Sequence, residues 1–224
     1  MKKVLKFIVR FIKFFTPFGI VVLAERYYKY GTFKKLWNIN TKRYWDYQYG
    51  KGYDFVAENY LPLPNFISTN GSEITILDVG CGYGGSVKFL SDKVKNAKVS
   101  GCDISTVAIE RARETQPDKE FFAIDLNTEE LKKSYDYITI VETLEHVDDA
   151  YKVTDMLLKH VKKALIVSVP YSPDVPTGKI AEGGAHVFAF NDDTFADYNH
   201  EILHKDILHS GTMPRIIYRI YPNK

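Results

Sequence analysis

The sequence predicts an α/β protein built on an open, mostly parallel sheet with helices on both faces. Three observations carry this reading. Ile74–Val79 form a short apolar run, broken only by Thr75 and Asp78, that enters glycines at 80, 82, 84 and 85 and then a helix-like stretch from Ser86. Further strand-like runs then alternate with helix-like stretches, the pattern of parallel strands joined by crossover helices. Two last strand-like runs, 201–208 and 215–221, meet around Gly211–Pro214 as an antiparallel hairpin.

The 224 residues suffice for one such domain with a small appendage, and 45% apolar with 26% charged residues suits a globular chain. Three regions are expected: a basic arm over 1–35, an aromatic cover over 36–72, and the α/β domain over 73–224. The net charge of +2 is unevenly spread. Residues 1–35 hold nine Lys or Arg against Glu25, a net of +8, so the rest carries −6. Cys81 and Cys102 lack metal or redox spacing and point to a reducing compartment.

Lys3, Lys6, Arg10 and Lys13 share one helical face, while Phe7, Ile8, Phe11, Phe14 and Phe15 cover much of the remainder. Thr16-Pro17 ends that helix. The uncharged run from Phe14 to Ala24 is 11 residues, short of the about 20 that cross a bilayer. Residues 1–24 therefore read as an interfacial helix on an anionic membrane surface, which places the chain in the cytoplasm, peripheral on the inner face of the membrane. The bland alternative is a helix packed on its own domain or on a second copy in a homodimer. Nucleic acid is not an expected partner, because the arm lacks polar base-reading residues.

Trp37, Tyr44, Trp45, Tyr47, Tyr49, Tyr53 and Tyr60 make the next segment aromatic. It reads as an N-terminal helix pair covering one edge of the sheet, with Arg43, Trp45 or Tyr49 able to close over a ligand.

In the domain, the first helix runs to about Lys95 and the second strand over Lys98–Asp103. A helix at Thr106–Thr115 is capped by Ser105. The third strand is Phe121–Asp125 and the fourth Tyr135–Val141. A helix from about Val147 to Lys162 leads to the fifth strand, Ala164–Val169, whose continuous apolar run fits burial on both faces. Residues 170–186 form a loop rich in Pro and Gly, read as a lid or substrate wall. Val187–Phe190 is apolar, and Asp192 or Asp193 caps a short helix.

Ligands of such sheets bind at the carboxyl ends of the strands. Gly80–Gly84, Asp103, Asp125 and Glu142–His146 all fall there. The glycines alone fit two templates: Gly80, Gly82 and Gly85 make G-x-G-x-x-G, while Asp78, Gly80, Gly82 and Gly84 make D-x-G-x-G-x-G. Asp103, 23 residues after Gly80, suits two ribose hydroxyls, though an acid there can also be a helix cap. Asp125 suits an adenine amino group or a plain turn.

Ile76-Leu-Asp-Val-Gly-Cys-Gly-Tyr-Gly, Gly101-Cys-Asp-Ile-Ser105, Ala123-Ile-Asp-Leu126 and Val141-Glu-Thr-Leu-Glu-His-Val147 together resemble the class I S-adenosylmethionine (SAM) dependent methyltransferases, over about residues 73–221. The resemblance implies a Rossmann-like seven-stranded sheet with a reversed C-terminal hairpin. It also implies SAM held by Asp78, Gly80, Cys81, Gly82, Gly84, Asp103, Ile104, Asp125, Leu126 and Glu142. Glu-x-Leu-Glu-His after the fourth strand looks like the subgroup with ubiquinone-pathway O-methyltransferases and many small-molecule enzymes.

His146 is the first candidate for a general base, with Glu145 beside it and His186 as a second candidate. A helix-start histidine that only bonds backbone is the structural alternative for His146. A divalent metal on Glu142, Glu145 and His146 is possible but not favoured. The expected activity is O-methylation of a small or lipid-linked hydroxyl compound, such as a surface-glycan precursor. The alternatives are a quinone-type O-methyltransferase with a divalent metal and a non-catalytic SAM-fold protein that binds a membrane or partner.

Overall fold

The computed structural model describes residues 40–52, 57–179, 185–208 and 213–222. The readings of the basic arm, of Trp37 and of Tyr53 lie outside the described residues. The elements in chain order are α1 (Lys42–Gly50), β1 (Ile74–Val79), α2 (Gly85–Lys93), β2 (Ala97–Asp103), α3 (Thr106–Thr115), β3 (Phe121–Ala123), β4 (Tyr135–Val141), α4 (Ala150–Lys159), β5 (Val161–Pro170), β6 (Gly178–Lys179), β7 (Phe188–Ala189), β8 (His200–Leu208) and β9 (Met213–Ile220). Seven strands form one sheet in the order β3-β2-β1-β4-β5-β9-β8. β1 to β5 pair in parallel, and β9 joins β5 antiparallel with β8 at the edge.

The side-chain period of two sorts the sheet into two cores. Leu77, Val79, Ile138, Ile140, Leu165 and Val167 point to one face, where α4 adds Val153, Met156 and Leu157. Ile74, Ile76, Val99, Tyr137 and Ile166 point to the other, against Val87 and Leu90 of α2 and Ile109 of α3. The helices begin where their caps dictate. Ser105 Oγ accepts from the Ala108 amide at 3.2 Å, and Asp149 Oδ1 from the Lys152 amide at 3.2 Å.

Several boundaries differ from the sequence expectation. α4 starts at Ala150, because residues 144–146 first make a 3-10 turn, and it stops at Lys159 so that β5 begins at Val161. β3 ends at Ala123 and leaves Asp125 in a turn. The aromatic cover is one α-helix followed by two 3-10 turns, Ala57–Tyr60 and Leu63–Phe66, not a helix pair among the described residues. Pro62 and Pro64 limit helix growth there. Residues 192–198 are successive turns rather than a helix, with Thr194 Oγ1 accepting the Asn191 amide at 2.8 Å. The 170–190 stretch holds a small antiparallel pair, β6 with β7, that the sequence reading lacked.

Asp78 ties these parts together. It faces Thr139 across the β1–β4 ladder and is fully buried. Its carboxylate accepts from Thr139 Oγ1 at 2.6 Å, from the Ser86 hydroxyl of α2, and from Tyr60 OH at 3.2 and 3.4 Å. Burial pushes its pKa up to about 6, against the downward pull of those hydroxyls. Asp78→Ala leaves three buried hydroxyls short of an acceptor and should cost about 3 kcal/mol of stability. Urea unfolding of the two proteins checks this, and equal midpoints would remove Asp78 from its structural task.

Candidate active site

One cavity opens at the carboxyl ends of β1, β2 and β4. Its wall includes Gly80, Cys81 and Gly82 after β1, Asp103 and Ile104 after β2, Asp125 and Leu126 after β3, and Glu142, Thr143, His146 and Val147 after β4. The crossover topology gathers these side chains although up to 67 residues separate them. Trp45 and Tyr49 of α1, with Asn59 and Tyr60, add an aromatic and amide side that the sequence motifs did not point to beyond the first two.

The glycine turn is shaped by close packing. Gly80 has φ +78°, and a Cβ there would meet Thr143 Oγ1 at 2.0 Å. Gly82 has φ +54° and lies 3.0–3.4 Å, measured from such a Cβ, from the Tyr49 phenol. Both positions require the absence of a side chain. Gly84 does not line the cavity: it caps α2, and its carbonyl accepts from Gln116 Nε2 at 2.8 Å. Asp78 is likewise off the wall, occupied by the three hydroxyls already described. Both residues thus stand behind the wall, where burial and internal bonding give them a structural task.

Asp103 is buried and held by backbone. Oδ1 accepts from the Ser105 amide at 2.9 Å, and Oδ2 from the Gly82 amide at 3.0 Å and from Tyr49 OH at 3.3 Å. Burial raises its pKa, with those donors pulling the other way. Asp125 accepts the Asn127 amide on Oδ1 at 3.0 Å. Arg43 is exposed and is not on the wall.

At the β4 end, Glu142 holds a backbone φ of +47°, strained for a residue with a Cβ. Both carboxylate oxygens are buried without a hydrogen-bond donor, and Ser168 Oγ beside them does not reach bonding geometry. Burial raises the Glu142 pKa, opposed by the Arg215 guanidinium. Glu145 is 1% exposed, also without a donor, and burial plus the neighbouring Glu142 raise its pKa.

His146 Nδ1 lies 2.7 Å from the Ala185 carbonyl, so that nitrogen carries the proton and Nε2 keeps its lone pair. Burial lowers the His146 pKa to about 4. Its ring packs edge-on against Trp45 at 5.1 Å and against His186 at 5.0 Å. His186 is half exposed, off the main cavity wall, and shifted down by burial. Glu145 Oε1 stands 3.8 Å from His146 Nε2 and 4.0 Å from His186 Nε2. Donor atoms of Glu145, His146 and His186 lie within 4.8 Å of one another, a set that differs from the expected Glu142, Glu145 and His146 by bringing in His186.

Residues 77–165 match the family model described as a methyltransferase domain. The chain is 33% identical over 104 residues to a putative methyltransferase, 235L, of Invertebrate iridescent virus 6, which covers 46% of this chain and 36% of that protein. It is 32% identical over 119 residues to the malonyl-[acyl-carrier protein] O-methyltransferase of Acetivibrio thermocellus, covering 50% of this chain and 42% of that one. The chain thus spans less than half the length of these curated relatives. Among solved structures, magnesium protoporphyrin IX methyltransferase from Synechocystis PCC 6803 with bound SAM superposes with a TM-score of 0.56 at 18% identity, over 96% of each chain.

The wall fits that cofactor. The glycine turn admits a ligand close to backbone, and Asp103 keeps acceptor capacity on Oδ1. Ile104 and Leu126 supply apolar sides, and the donor-free carboxylate of Glu142 waits at the far end. Domain match over residues 77–165, sheet topology and this wall together support a SAM-dependent methyltransferase domain.

Proposed function

We propose that the chain is an active SAM-dependent methyltransferase that methylates a hydroxyl of a small or lipid-linked acceptor, such as a surface-glycan precursor, at the inner face of a membrane. One observation carries the catalytic part: the His146 imidazole shares a cavity with the glycine turn and Asp103. The likeness to an O-methyltransferase supports oxygen as the target.

Bound SAM supplies a methyl group already activated on a sulfonium. The chain orients it: Asp103 accepts from ribose hydroxyls, Asp125 from the adenine amino group, and Ile104 with Leu126 flank the base. Gly80, Cys81 and Gly82 line the side next to Glu142. What remains is proton removal from the acceptor. The Ala185 carbonyl fixes the His146 tautomer, so Nε2 is the accepting atom. A pKa near 4 keeps the ring neutral at neutral pH, so Nε2 is free of a proton to accept the one released as the hydroxyl attacks. Trp45 and Tyr49 supply the aromatic side of the same cavity.

His146→Ala should lower turnover about 10²–10⁴-fold while leaving SAM affinity close to wild type, and Asp103→Ala should do the reverse by calorimetry. Unaltered turnover in the first variant, or wild-type affinity in the second, assigns the role elsewhere.

The basic, Phe-rich residues 1–24 support the membrane placement. No helix among the described residues is long and apolar enough to cross a bilayer. Full-length protein should float with anionic liposomes and a variant lacking residues 1–24 should stay behind; equal recovery excludes the arm.

A second reading, a quinone-type O-methyltransferase with a divalent metal, is favoured by the Glu145, His146 and His186 cluster. Mixed carboxylate and imidazole donors suit several divalent ions, which would lower the pKa of the acceptor hydroxyl. Dialysis against EDTA should then abolish turnover and Mg²⁺ or Mn²⁺ restore it; full activity after dialysis leaves His146 as the base.

A further inference from the structure

The two oxygens of Asp103 offer four lone-pair positions, and donors among the described residues take three of them. Oδ1 accepts the Ser105 amide at 2.9 Å, and Oδ2 accepts the Gly82 amide at 3.0 Å and the Tyr49 hydroxyl at 3.3 Å. Two of these donors are backbone and fixed in place. The third is a side chain, and its bond is the longest. A pair of ribose hydroxyls on this carboxylate needs two acceptor positions, and one stays open while Tyr49 is in place. The phenol also lies over the glycine turn, 3.0–3.4 Å from where a Cβ of Gly82 would stand. Tyr49 thus puts a hydroxyl on the atom that a nucleoside would use.

Tyr49 is also one ring in a continuous row. Tyr83, inside the glycine turn, stands 5.2 Å from Tyr49, and Tyr49 stands 6.2 Å from Trp45. The row goes on from Trp45 to His146 at 5.1 Å and from His146 to His186 at 5.0 Å. Trp45 and Tyr49 are one turn apart on α1 and share a face. The backbone of this helix is held. Asp46 Oδ1 accepts Ser105 Oγ at 2.7 Å and the Val107 amide at 3.3 Å, and the Tyr49 carbonyl accepts the Tyr83 hydroxyl. The motion left to Tyr49 is a swing of its own side chain, and closely packed rings do not absorb such a swing without shifting a neighbour.

We propose that Tyr49 is a placeholder for the cofactor's ribose: the arriving nucleoside displaces the phenol from Asp103, and the displaced ring resets Trp45 and, through it, the face of His146. The acceptor side is then set only after the cofactor is in place. Tyr49 is in this sense a positioning residue that acts through Trp45. The proposal rests on the methyltransferase reading and adds an order to its two binding events.

Calorimetry on the full chain, wild type against Tyr49→Phe, reads the first part. The phenylalanine keeps the ring and drops the competing hydroxyl, so S-adenosylhomocysteine should bind about three- to tenfold more tightly. Equal or weaker binding overturns the placeholder role. Tryptophan emission reads the second part. Trp37→Phe leaves Trp45 as the single tryptophan of the chain. Its emission should shift on saturation with S-adenosylhomocysteine, and the shift should shrink when Tyr49→Phe is added, because the ring is then no longer tethered to Asp103. A shift of the same size in both proteins, which the ligand itself would cause, or no shift at all, overturns the coupling. Adenosine and 2′,3′-dideoxyadenosine, brought to equal occupancy on the Trp37→Phe protein, keep the test decisive if Tyr49→Phe does not fold. Adenosine should shift the emission and the dideoxy compound should not; matching responses overturn the proposal. Failure of the wild type to bind S-adenosylhomocysteine would instead overturn the methyltransferase reading, and the placeholder with it.

Discussion

Three hydroxyls converge on the Asp78 carboxylate, and the site depends on that convergence. Thr139 comes from the neighbouring strand, Ser86 from the helix after the glycine turn, and Tyr60 from the aromatic cover. One buried group therefore sets the spacing of β1 and β4, the entry of α2, and the seat of the segment carrying Asn59. A buried carboxylate is expensive to desolvate, and it is tolerated here because its acceptor sites are filled by short, neutral donors. The glycine turn above it has little freedom left. Gly80 must pass Thr143 and Gly82 must pass Tyr49, so the backbone at the cavity floor is set by its neighbours as much as by a ligand.

From that floor the sheet spreads its chemistry along one edge. At the ends of β2 and β3, Asp103 and Asp125 are organised by backbone amides. At the end of β4, Glu142, Glu145 and His146 are organised by burial, which pushes both carboxyls up and the imidazole down. The two halves are linked by α1. Tyr49 reaches Asp103, and Trp45, one helical turn earlier, packs on His146.

The parts of this arrangement legible in the sequence were those written in local pattern. Apolar runs gave the strands, Ser105 gave a helix start, and acids at strand ends gave Asp103 and Asp125 their place on the cavity. The bonding of Asp78 was not legible, because its position in a glycine motif says nothing about which way its side chain points. Its carboxylate sits beside Thr139 of β4, behind Tyr60 and Ser86, which line the cavity in its place. Asn59 had no signal at all. Its position is fixed by Arg215, 156 residues later, through a backbone carbonyl. The end of α4 was also out of reach, since Val161 leaves the helix to pair with Tyr135 of β4, a long-range choice.

Ala185 shows a further kind of silence. Its carbonyl accepts both Asn40 Nδ2 at 2.6 Å and His146 Nδ1 at 2.7 Å. The orientation of the imidazole is thus written by a peptide group, which every residue type possesses. Swapping the alanine for another small residue would leave that bond intact, whereas moving the peptide by one register would erase it. Lineages of this protein can therefore drift freely in the letter at position 185 while being held to its place in space, and the constraint would show as a fixed loop length rather than as a preserved residue.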